Sequence, residues 1–163
     1  MYAKVYVDYS TKEITLLSID CPSGSSYYEN IKKISEEYPN LTQVIINEEI
    51  MIGLIRNYFV GRKYQVSDLR IDVDNNKQDY NNLLRAIEKD RGYILLLFEE
   101  IERKVYQGNG MLLELEFSNK DKKLSFKSNG VIKYNEMSYE DINDALTIIK
   151  EHLFRWIRSW KYH

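Results

Sequence analysis

The strongest constraint in this chain is an apolar stripe through Tyr80, Leu83, Leu84, Ile87, Ile94, Phe98, Ile101 and Val105. The spacing follows one face of an α-helix. A stripe of that length must be buried against something, so the segment is expected to form a spine on which both ends of the chain pack. It reads as one long central helix over 78–107. Gly92 interrupts it at a cost of about 1 kcal/mol relative to alanine, and a kink is expected there.

The flanking sequence changes period. Over 4–9 and 14–19 apolar and polar residues alternate around a Ser10–Glu13 turn, which predicts an N-terminal β-hairpin. Ser26 and Glu29 fit a capping box opening a helix to Tyr38, which Pro39 stops. The β-branched run at 43–47 predicts a short central strand, followed by a helix over 48–59 and a strand over 64–73. After Gly108-Asn109-Gly110 come strands at 111–117, 122–127 and 131–134. Asn129-Gly130 supplies the positive φ angles of a tight hairpin turn. Ser138 and Asp141 then open an amphipathic helix to Trp160, with Ile142, Ala145, Leu146, Ile149, Leu153, Trp156, Ile157 and Trp160 inward. The fold expected is therefore α+β: hairpin, alternating helices and strands, long central helix, three-stranded antiparallel meander and final helix. One domain over 1–163 is expected, with lobes 1–77 and 108–163 joined by the helix.

Composition narrows the class. With 163 residues, 44% hydrophobic and 29% charged, the chain can bury a core without staples. A net charge of −2 excludes a protein that coats nucleic acid. The single cysteine, Cys21, excludes an internal disulfide and a thiolate metal cluster, and fits a reducing compartment. The first residues carry no leader pattern, and the longest apolar run, 93–98, is far below the ~20 residues of a membrane span. A cytoplasmic protein is expected.

Four carboxylates define one chemical hypothesis. Asp8 stands on the first strand, Glu29 on the first helix, Glu48 after the 43–47 run and Asp79 at the next helix start. This order of elements over residues 3–90 weakly resembles the ribonuclease H-like fold. The resemblance implies that Asp8, Glu29, Glu48 and Asp79 hold two Mg²⁺ ions for phosphodiester cleavage. Asn47 stands where that pattern expects Asp. Each acid also has a plain structural role, as a cap, a helix-start charge or a solvated strand residue.

Other constellations are thinner. Asp68, Asp72 and Asp74 alternate on a strand, without the glycine and terminal glutamate of a calcium loop. The two histidines, His152 and His163, form no catalytic or metal-binding pair. Cys21 near a helix start has a setting that lowers a thiol pKa, but a small buried residue explains it as well. Residues 22–26 read as a polar turn rather than a phosphate-binding loop. At the C-terminus Phe154, Arg155, Arg158 and Tyr162 fall off the core stripe, and no acid lies between His152 and His163. Aromatic and guanidinium groups together suit a protein partner or a nucleic-acid backbone.

The expected function is non-enzymatic: a small cytosolic binding or regulatory protein, such as an inhibitor, immunity or accessory factor of a bacterium, phage or mobile element. Its binding residues are Phe154, Arg155, Arg158 and Tyr162, with a protein as partner, nucleic acid as a further partner through the basic helix, and no cofactor, metal or membrane. The alternatives are the Mg²⁺-dependent nuclease and a structural homodimer formed through an apolar face of the central helix.

Overall fold

A computed structural model describes residues 1–61, 64–73 and 76–160, the side chains of 76–77 and 156–160 excepted. The N-terminal hairpin forms as expected: β1 (Tyr2–Asp8) pairs antiparallel with β2 (Glu13–Ile19), Val5 opposite Leu16. Helix α1 (Gly24–Glu37) begins two residues before the expected capping box, leaving Ser26 and Glu29 inside it. Gly24, at φ +78°, opens the helix after the 20–23 link from β2.

The expected strand at 43–47 shrinks to β3 (Thr42–Gln43). The flank of β1 is already occupied beyond it, because Tyr2, Ala3 and Lys4 pair with the C-terminal hairpin. Residues after β3 pass over that hairpin's turn instead, Ile46 N–H donating to Ser128 O at 2.9 Å. Val44 and Ile46 are buried in the crossing while Ile45 stays exposed.

Helix α2 (Glu48–Ile55) is capped by Asn47, whose side chain accepts from Ile50 N–H, and it runs on as a π-helical segment, Arg56–Gly61. β4 (Gln65–Val73) follows, with the short β5 (Asn76–Lys77) against its end.

The central helix is broken. It comprises α3 (Asn81–Lys89), a 3-10 turn at Arg91–Tyr93, α4 (Ile94–Ile101) and a π-helical end at Glu102–Tyr106. Asp90 is the cause: its backbone is extended and its carboxylate accepts from Gly92 N–H at 3.0 Å, capping a new start. The apolar stripe survives, since Tyr80, Leu84, Ile87, Ile94 and Ile101 remain buried on one side.

The meander is β6 (Met111–Asn119), β7 (Lys122–Lys127) and β8 (Val131–Tyr134). Only Gly130 of the Asn-Gly pair takes a positive φ, while Asn129 folds its side-chain oxygen onto Val131 N–H. A Cβ at Gly130 would collide with the Val44 carbonyl, so glycine is required both by φ and by the crossing chain. The last helix starts later than Ser138. Asn135 and Ser138 form a reciprocal capping box for a 3-10 segment, Glu136–Asp141, which leads into α5 (Ile142–Trp160).

All strands join one antiparallel sheet in the order β2-β1-β8-β7-β6-β4-β5, with β3 beside β1. Helices α2 to α5 cover one face and enclose the main core, from Val5 and Val7 through Tyr58, Leu115 and Phe126 to Ile149. On the other face α1 covers only the β2-β1-β8 end, where Tyr6, Ile19, Tyr27, Ile34 and Val131 form a second, smaller cluster. Among the described residues no helix is long and apolar enough to cross a membrane.

Candidate functional site

The four carboxylates of the nuclease hypothesis are not gathered. Asp8 closes the β1–β2 turn, accepting from Ser10 Oγ at 2.6 Å and Asn40 Nδ2 at 2.9 Å. The Ser10 hydroxyl and then Asn40 hold its carboxyl down at about 2. Asp79 lies beyond β4, where it caps Asn81 N–H at 2.9 Å. Four strand spacings separate β1 from β4, or roughly 19 Å at about 4.8 Å each. Glu29 is exposed on α1, across the sheet from α2 and Glu48. Two metal ions about 4 Å apart need these groups in one cleft. The nuclease arrangement is therefore corrected: the antiparallel sheet sends the acids to different edges and faces. Among the described residues no three His, Cys, Asp or Glu side chains come together to hold a metal ion. Of the alternating acids, Asp68 takes Leu69 N–H, Asp72 pairs with Arg70 at 3.6 Å, and Asp74 lies outside the described residues.

The C-terminal group also divides. Phe154 is not an exposed anchor. It is 8% exposed and meets Tyr9 edge-on, with ring centroids 6.1 Å apart. The β1–β2 turn supplies a wall that a helical wheel drawn for α5 alone omits. Arg155 is exposed. The side chain of Arg158, like those of Trp156, Ile157 and Trp160, and all of Tyr162 lie outside the described residues. Cys21 is half-buried, its Sγ 3.0 Å from Ser23 O.

What the fold does assemble is a cleft between the edge of β4 and α3. Among the described residues the strand beyond β4 is β5, which pairs with Asp72 and Val73. Next to it Gln78 N–H donates to Ile71 O at 3.0 Å. The outer edge of residues 65–70 therefore has no strand partner among the described residues. α3 rises beside this edge because Leu84 and Ile87 are drawn into the core, leaving Asn81, Arg85 and Glu88 at the rim. Two depressions result. One, of about 320 Å³, lies among Gln65, Ser67, Leu84, Arg85, Glu88 and Ser118. The other, of about 290 Å³, lies among Asp68, Leu69, Gln78, Asp79 and Tyr80. Asn81 borders both, so they run along the strand as one trough.

The trough is polar and graded. Arg85 and Glu88 stand at one end, Asp68 and Asp79 at the other. A bulge at Ser67, between the Val66–Phe117 and Asp68–Glu116 pairs, twists the edge. Ser67 Oγ donates to Glu116 Oε1 at 2.8 Å, tying the bulge down. Sequence reasoning singled out Asp68 and Asp79 for metal chemistry and passed over Gln65, Ser67, Arg85 and Glu88. Alternation along β4 marks a strand but not an edge, because edge status depends on what the rest of the chain leaves unpaired.

Compared with known protein families, curated proteins and solved structures, the chain matches none.

Proposed function

We propose that this protein is a binding module that takes an extended segment of a partner protein into the trough, as an added strand on β4. The observation that carries this reading is a strand edge walled by a helix and, among the described residues, without a strand partner over 65–70, the geometry of peptide recognition by strand addition. Main-chain hydrogen bonds supply affinity there, and the flanking side chains supply choice. Asp68 and Asp79 favour a segment with a basic residue at that end, and Arg85 an acidic residue about three positions away. Recognition without chemistry agrees with the regulatory or inhibitory role expected from the sequence. Residence in the cytoplasm belongs to the same reading and is supported by one unpaired, half-buried cysteine.

The test is selection of peptides from a random display library on the immobilised protein, then titration of a synthetic winner. Binding is expected to shift the backbone amide resonances of 65–71 and 81–88. Arg85→Glu, at an exposed position, is expected to weaken it about tenfold, or 1.4 kcal/mol. Selected peptides that shift resonances elsewhere and bind Arg85→Glu equally well refute the trough as the site.

A further inference from the structure

The two ends of the sheet are treated differently. The β4 edge is bordered by α3, which makes the trough, and at its end by β5. Among the described residues the β2 edge, over Glu13–Ile19, has neither such a strand nor such a trough, and α5 meets it where Lys150 pairs with Glu13 at 3.6 Å. It pairs with β1 in unbroken register, contains no proline or lysine, and has no strand on its outer side among the described residues. Natural proteins blunt such an edge or cover it.

We propose that a second copy of this chain covers it, the two β2 strands pairing antiparallel about a two-fold axis at Leu16 to continue the sheet across both molecules. The sequence is self-complementary in this register. Leu16 faces Leu16, Thr15 faces Leu17, Ile14 faces Ser18, and Glu13, which Lys150 pairs with at 3.6 Å, faces Ile19. The exposed Lys12 and Asp20, just outside the strand, each face the other's counterpart. Neither has an ion-pair partner within its own chain among the described residues. Moving the axis to Leu17 sets Ile14 against Asp20, and moving it to Thr15 sets Lys12 against Ser18, so only the axis at Leu16 pairs the two charges. Ile14 and Leu16 pack toward the main core and Leu17 toward the smaller cluster, all half-buried, so pairing extends apolar cover on both faces. The contact is isologous and closes at two copies.

Sedimentation equilibrium on the whole chain tests this, with exposed charges exchanged so that folding is not at issue. The wild type is expected to dimerise. Lys12→Asp is expected to weaken the dimer about tenfold, because two attractions become two repulsions. Adding Asp20→Lys to that variant is expected to restore dimerisation to within roughly threefold of wild type, since the attractions return with exchanged sign. Amides of 13–19 should exchange more slowly at high concentration than at low. A wild type that stays monomeric at about 100 μM overturns the proposal. So does a Lys12→Asp chain that dimerises like wild type, or a double exchange that fails to restore association.

Discussion

Lys4 shows what a single residue records about its surroundings. It lies on the α1 face of β1 and is 1% exposed, donating to Asn129 O with its ammonium 5.7 Å from the Tyr27 ring centre. Burial pulls its pKa from 10.5 down to about 8. On the same face burial, with Tyr27 adding to it, pushes Tyr6 up to about 12. The consequences have opposite signs. Between pH 8 and 10.5 the unfolded chain binds more protons at Lys4, so stability rises with pH. Above pH 10 unfolded tyrosines ionise while Tyr6 keeps its proton, so stability falls. We expect the urea midpoint to pass through a maximum near pH 10. Lys4→Met should abolish the rising limb and keep the falling one; a rising limb that persists in Lys4→Met refutes the assignment.

At the scale of elements, the decisive contacts are short-range ones that override a longer pattern. The stripe from Tyr80 to Val105 has the period of one helix, yet a side-chain cap at Asp90 divides it. Competition between an Asp carboxylate and the backbone ladder is a known reason for Asp to disfavour helix interiors. Asp90→Ala is expected to cost about 1 kcal/mol in urea unfolding, the usual loss for a removed cap, with Asp90→Asn retaining most of it. Equal stability of Asp90→Ala and wild type would show that packing of Ile87 and Ile94 sets the break. The shortened β3 has the same logic from the other side. Its β-branched run is strand-prone, but β1 has no room beside it once β8 has paired.

For the whole molecule, the sheet separates two cores of unequal size. α1 contributes only Tyr27 and Ile34 as buried residues, against the smaller cluster, whereas α2 to α5 enclose the large one. Few buried apolar contacts mean a low free energy of local opening. Amides of α1 are therefore expected to exchange through an opening well below the global unfolding free energy, while β6 and β7 exchange only by global unfolding. Equal protection of α1 and β6 would show the two layers to be one cooperative unit. The two sheet edges sit at opposite ends of this architecture, so pairing at β2 leaves the trough beside β4 free.

The sequence by itself determined the α+β class, the hairpin, the meander and the places of α1, α2 and α5, because each is written in a local period or turn residue: alternation at 4–9, Gly130 at its turn, the wheel of 142–153. It also determined which strands are apolar on one face. It did not determine strand order, and every functional assignment depends on that. Asp8 and Asp79 read as partners along the chain, yet β8, β7 and β6 are inserted between their strands. Phe154 read as exposed on its own helix, yet the β1–β2 turn buries it. Edges, clefts and walls are properties of what is left unpaired after long-range pairing, and no residue in β4 or β2 carries that information alone.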